Sequence, residues 1–205
     1  MKSILSILMS SILLFLSCDK SSTSPINLDK IDIPMSSGTY WKYTQSYSIL
    51  PGVATGENEN IVIGPDTLIN GLTVTKVTSI NKPTSRDSVI ADRFWSLSSE
   101  SFIEYSSRTD TIGRKLLEFP IEPGKRWISR EDTFDIIATD KKIEIDLGNY
   151  SNCVLITRRS GPSVYPTISR YFWKDGIGLL KIESDLLYLV PPSTQTVQLF
   201  AHKKL

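Results

Sequence analysis

Asn70-Gly71 and Asp175-Gly176 each sit between runs rich in β-branched and aromatic residues, and this pairing constrains the fold more than any other feature of the chain. Two-residue corners of this kind suit hairpins, because both corner residues adopt positive φ. The clearest case predicts a hairpin that pairs Ile168–Lys174 with Ile177–Glu183 around Asp175-Gly176. Further turn signals fall at Pro51-Gly52, 110–113, Pro123-Gly124, 140–142, Gly148-Asn149, Gly161-Pro162 and Pro191-Pro192. The runs between them read as strands. Residues 143–147 alternate strictly between apolar and acidic types, while 72–80 and 194–201 are rich in residues that suit a pleated surface. No long window carries a helical stripe.

Short strands joined by tight turns make antiparallel neighbours, since parallel crossovers need a dozen or more connecting residues. The expected fold is all-β: an antiparallel meander curled into a barrel or half-barrel, which removes exposed sheet edges. A β-sandwich is the alternative. One local echo stands out, in that Ile33-Pro34 to Gly38-x-x-Trp41 matches Ile121 to Pro123-Gly124-x-x-Trp127. With so few matched positions, coincidence is favoured over duplication.

The N-terminus addresses the chain. Met1-Lys2 precedes an apolar run from Ile4 to Leu16, too short for the roughly 20 residues of a membrane-spanning helix. It fits a signal peptide over residues 1–17. Phe15 is a poor −3 residue for ordinary secretory cleavage, whereas Ser17-Cys18 resembles a loose lipobox with Cys18 as the acylated residue. Two or three acyl chains would hold the protein stably on a membrane. Residues 18–29 are expected to be the lipidated cysteine and a flexible tether, and residues 30–205 a single β-domain. The expected location is the cell envelope, with the outer membrane favoured over the inner.

Without residues 1–17 the chain keeps 188 of its 205 residues, enough for one core. Lys2 leaves with the signal, so 22 basic residues balance 22 acidic ones. That balance argues against nucleic acid as a partner. Once Cys18 is acylated, Cys153 is the remaining thiol, so no internal disulfide forms. Its apolar setting (Val154-Leu155-Ile156) predicts a buried, inert side chain sharing a strand face with Leu155.

Several motifs, in order, carry a resemblance: Gly38-x-Tyr40-Trp41-x-Tyr43, Ile69-Asn70-Gly71, Pro123-Gly124-x-x-Trp127, Asn152-Cys153 and Trp173-Lys174-Asp175-Gly176-Ile177-Gly178-Leu179-x-Lys181. Together they resemble a family of uncharacterised lipoproteins of Bacteroidetes-type envelopes. The resemblance implies a secreted β-rich domain and brings no catalytic residues.

Catalytic chemistry finds little footing. His202, the one histidine, lies near a chain end that is expected to fray. Phosphate loops, His-Glu-x-x-His, Cys-x-x-Cys and nucleophile elbows are absent. Glu104, Glu118, Glu131, Asp132 and Asp135 read as solvated strand faces rather than a glycosidase pair. No catalytic residue, metal site or cofactor is therefore expected. The aromatic set is richer: Trp41, Tyr43, Trp95, Trp127, Tyr171 and Trp173 could line a site for an apolar ligand, and Tyr105 belongs to the same group. Core packing is favoured for these rings. The expected protein is a non-enzyme that binds an apolar ligand or lipid in its curved sheet. Contact with another envelope component is the alternative, and a histidine-independent hydrolase trails.

Overall fold

The computed structural model describes residues 28–49, 52–83, 88–162, 166–186 and 193–204. Cys18, the signal segment, the tether up to residue 27 and the Pro191-Pro192 corner lie outside the described residues. The first six strands are β1 (Tyr40–Ile49), β2 (Gly52–Ile69), β3 (Leu72–Pro83), β4 (Val89–Leu97), β5 (Ser101–Tyr105) and β6 (Arg114–Glu118). Six more follow: β7 (Arg126–Ser129), β8 (Asp132–Ile145), β9 (Gly148–Ser160), β10 (Thr167–Lys174), β11 (Gly178–Leu186) and β12 (Ser193–Lys203). All belong to one antiparallel sheet in the order β6-β5-β4-β3-β2-β1-β12-β11-β10-β9-β8-β7. The chain thus makes two six-strand meanders, joined where β1 pairs with β12. One continuous curled sheet rules out the sandwich.

The sheet curls until its outer strands, β6 and β7, face each other. No backbone ladder joins them. Side chains of β7 instead satisfy the backbone of β6: the Lys115 N–H donates to Ser129 Oγ at 2.7 Å, and the Trp127 indole N–H donates to the Lys115 carbonyl at 3.1 Å. Arg130 Nε adds a bond to the Gly113 carbonyl at 3.0 Å, and its guanidinium pairs with Asp110. Partial burial pushes the Asp110 carboxyl up. Hydrogen bonds from Ser106 and Gly113, with the Arg130 charge, more than offset this and hold it well below the usual range. The barrel is closed by a seam of side chains.

The Asn70-Gly71 corner behaves as expected. It links Ile69 to Leu72 with φ of 50° and 76°. The Asp175-Gly176 hairpin also pairs the predicted runs, with Tyr171 opposite Ile182, but its connection is not two residues. Lys174 faces Gly178 across a loop of Asp175, Gly176 and Ile177. Positive φ occurs at Gly176 (74°) and not at Asp175. The Ile177 N–H closes the loop on the Lys174 carbonyl at 3.2 Å, and a second chain segment docks on the corner. Asp175 Oδ1 accepts the Asp32 N–H at 2.7 Å, and the Gly176 N–H donates to the Asp32 carbonyl at 2.9 Å.

That segment, residues 28–35, is an ordered strap. Leu28 forms an antiparallel bridge with Ile121, and Ile31 and Ile33 are buried. Leu28 and Asp29 therefore belong with the folded domain rather than with the tether. Two other turn expectations also shift. Residues 140–142 are absorbed as register irregularities inside β8. The corner expected at Gly148-Asn149 falls at 146–147, because Ile145, the last core residue of β8, pairs directly with Gly148.

The echo is matched in the structure. Gly38 (φ 84°) and Gly124 (φ 87°) occupy matching turns at the head of each meander. Each glycine N–H donates at 2.8 Å to a neighbouring strand, to the carbonyl of Val62 on β2 and of Ile136 on β8. Val62 and Ile136 donate in return to the carbonyls of Thr39 and Lys125. Each turn then delivers a buried tryptophan, Trp41 or Trp127, to the next strand.

Candidate functional site

The core runs through the barrel and includes Trp41, Val62, Phe102, Leu117, Phe134, Ile156, Leu180 and Leu199. Ile69, Val74, Phe94 and Tyr105 form a smaller separate cluster. The main core does not fill the barrel. A cavity of about 210 Å³ remains between β1, β4–β6 and β10–β11. This lies below the roughly 300–1,000 Å³ of sites for drug-sized ligands, so it suits a small molecule or the end of a larger one.

Its wall is aromatic. Trp41, Tyr43, Trp95, Phe102, Tyr171 and Trp173 line it, with Ile33 from the strap and Leu116, Leu179 and Ile182 from the sheet. Trp41, Trp95, Phe102 and Trp173 form a chain of ring contacts across the barrel. Successive centroids lie 5.6, 5.4 and 5.9 Å apart, at angles of 53°, 82° and 76°. Tilted and edge-on contacts are the favourable arrangements for ring quadrupoles. They also hold the rings apart, so faces and edges border the open space.

The polar tips of Trp41, Tyr43 and Trp95 are already engaged. Trp41 Nε1 donates to the Ile177 carbonyl at 2.7 Å, and the Tyr43 hydroxyl to the Leu179 carbonyl at 3.2 Å. Burial pushes the Tyr43 phenol well above its ordinary pKa. Trp95 Nε1 donates to Glu104 Oε2 at 3.1 Å. What the rings present to the cavity is therefore apolar surface.

Three polar side chains join the lining: Asn60, Glu104 and Arg114. Glu104 and Arg114 are cross-strand partners in the β5–β6 ladder. Arg114 Nε approaches Asp132 Oδ2 at 3.4 Å, and Arg158 Nε approaches the same oxygen at 2.9 Å. Arg158 also donates to the Tyr171 hydroxyl at 3.2 Å. Asp132 is thus a buried charge between two guanidiniums and not part of a solvated face, as its place beside a turn suggested. Glu118 pairs with Lys115, and Asp135 with Arg126. Among the described residues no three His, Cys, Asp or Glu side chains come together as metal ligands.

Five of the six aromatic candidates meet at the cavity. Trp127 does not line it, since its ring stacks on Phe134 at 5.2 Å and its N–H closes the seam. His202 does not fray. It pairs opposite Trp41 within β12 and stacks on that indole at 5.7 Å. Cys153 is buried, as are Val154 and Ile156, and Leu155 is partly so. Burial of the adjacent Cys153 and Val154 shows that both sheet faces are covered there. Burial also pushes the Cys153 thiol up, opposed by the Lys174 charge. Arg114 escaped the sequence reading, because its partner Asp132 approaches only when β6 and β8 are brought together across the seam.

Two solved structures share this fold. One, from Bacteroides fragilis, is described as a "putative exported protein with YmcC-like fold"; it is 10% identical, with 85% of this chain and 99% of that one covered at a TM-score of 0.57. The other is a "putative lipoprotein" from Parabacteroides distasonis, 13% identical, with 84% and 98% covered at a TM-score of 0.53. At these identities the likeness establishes the fold alone. No family model matches the chain. No curated protein matches it either.

Proposed function

We propose that this is a lipid-anchored, non-enzymatic envelope protein that binds a small apolar ligand inside its barrel. The observation that carries the reading is the aromatic cavity, where the tips of Trp41, Tyr43 and Trp95 are bonded to the protein and six aromatic rings border the space. Location in the envelope is supported by the signal-like N-terminus and by the exported and lipoprotein character ascribed to the two structural neighbours, and the Ser17-Cys18 pair supports acylation of Cys18 at the membrane, with the outer membrane favoured. The non-enzymatic part is supported by the lining itself, where among the described residues Glu104 is the one carboxylate.

Tryptophan emission tests the reading, because Trp41, Trp95 and Trp173 all border the space. Titration with 1-octanol should give a saturable emission shift that Trp173→Ala weakens. An unsaturable, purely linear response would defeat it. A role in contacting another envelope component has narrower support, in the exposed Val89 and Ile90 at the start of β4.

A further inference from the structure

Arg114 lines the cavity, yet its guanidinium is poorly served by the protein. Its Nε is enclosed and makes no hydrogen bond. Its contact with Asp132 is an ion pair at 3.4 Å without hydrogen-bond geometry. Asp132 lies closer to Arg158, and the Nε of Arg158 likewise lacks a hydrogen bond. Two guanidiniums therefore share one buried carboxylate, and with Glu104 the four charges beside the aromatic wall balance. A guanidinium offers five donors in a rigid fork that matches carboxylate or phosphate oxygens. Enclosed polar groups in native proteins normally have partners, so the unmet Nε marks a guanidinium that the fold does not saturate, on a side chain that reaches the cavity wall.

We propose that the cavity takes a short amphiphile with a single anionic head, carboxylate or phosphate monoester, that docks on Arg114 while its tail lies against Trp41, Trp95 and Trp173. The inference rests on the cavity being the ligand site. Tyr171 supports the arrangement, since its ring lines the cavity while its hydroxyl holds Arg158 against Asp132. Glu104, the other charged residue of the lining, opposes an anion, but the Trp95 N–H engages one of its oxygens. The Arg114 side chain is about one-third exposed, which places the head group toward solvent and the tail inward.

The test compares four probes of one chain length: octanoate, octyl phosphate, 1-octanol and octyltrimethylammonium. Each is titrated against the full protein in nanodiscs by tryptophan emission, with empty nanodiscs as the partition blank. Wild type should bind at least one of the two anions tenfold or more tighter than octanol, and the stronger anion identifies the head group. R114Q should abolish that preference, bringing both anions to within about twofold of octanol on the same variant, and R114K should keep part of it. E104Q, which retains an oxygen acceptor for Trp95, should tighten anion binding severalfold and guards against an unstable R114Q. Octanol binding equal to that of both anions, or a preference for the ammonium probe, overturns the head-group assignment and leaves the apolar site standing. Failure of every probe overturns both.

Discussion

The Trp127 indole reaches across from β7 and donates to the carbonyl of Lys115 on β6 at 3.1 Å, where a closed barrel would have used a backbone amide. Ser129 accepts from the N–H of the same residue. Lys115 is thus satisfied on both sides by side chains of the strand it faces, and each half of the seam can be removed by substitution. In a ladder of backbone bonds neither could.

Trp127→Phe keeps the ring against Phe134 and deletes the N–H donor. The Lys115 carbonyl then loses its partner, which should cost about 1–3 kcal/mol. Amide exchange should quicken in β6 and β7 ahead of the rest of the sheet, because local openings follow the weakest bonds. Uniform loss of protection across all strands would mean that the seam is not a separate element.

Gly176→Val should destabilise the domain by about 1–3 kcal/mol, since a β-branched residue resists φ near 74°. No atom lies within 4 Å of an added Cβ there, so the cost is conformational and not steric. Gly176→Asn should therefore be much milder. Chemical denaturation of both variants separates the two causes, because equal losses would indicate a clash.

His202 predicts a pH dependence. Burial, reinforced by the Lys204 charge, lowers its pKa, so the folded state favours neutral imidazole. As pH falls through about 6.5, the unfolded chain takes up a proton that the folded one resists. Stability should decline with acidification in that window and level off once the folded state also protonates. His202→Phe should keep the ring contact with Trp41, remove the enclosed, unpartnered Nε2 and flatten this part of the profile. A melting temperature with the same slope in wild type and variant would refute the assignment.

Cys153 should react slowly with a thiol reagent in native protein and rapidly in denaturant, as its full burial and raised pKa require. Cys153→Ala should cost about 1–2 kcal/mol, the scale of a small core cavity, and leave octanol binding unchanged. Fast native labelling would place the thiol in reach of solvent.

What could be read from the chain followed from local chemistry. Asn70-Gly71 announces its corner because both residues must take positive φ, and the β-branched runs mark most strands. The aromatic candidates were visible for the same reason: large rings on short strands go inward, and five of six meet. What could not be read depends on contacts distant in sequence. The three-residue loop at Asp175 carries a bond to Asp32, which is 143 positions away. Trp127 has the same local motif as Trp41, yet it faces a seam rather than the cavity, and only the order of strands decides that. Asp132 sits between Glu131 and Thr133 beside a turn and reads as solvated, until β6 and β9 bring arginines to it.

The strap has a mechanical consequence. Among the described residues, tension applied from the N-terminal side loads Leu28 first, against two backbone bonds to Ile121 of 2.8 and 3.4 Å. It next loads Asp32, bonded to Asp175 and Gly176, before any strand of the sheet bears force. These contacts are arranged in series, so they peel one after another instead of sharing the load. Ile33 leaves with them, and Ile33 is part of the cavity wall. Pulling on the strap from its N-terminal end would therefore unroof the aromatic chamber before the strands around it are loaded.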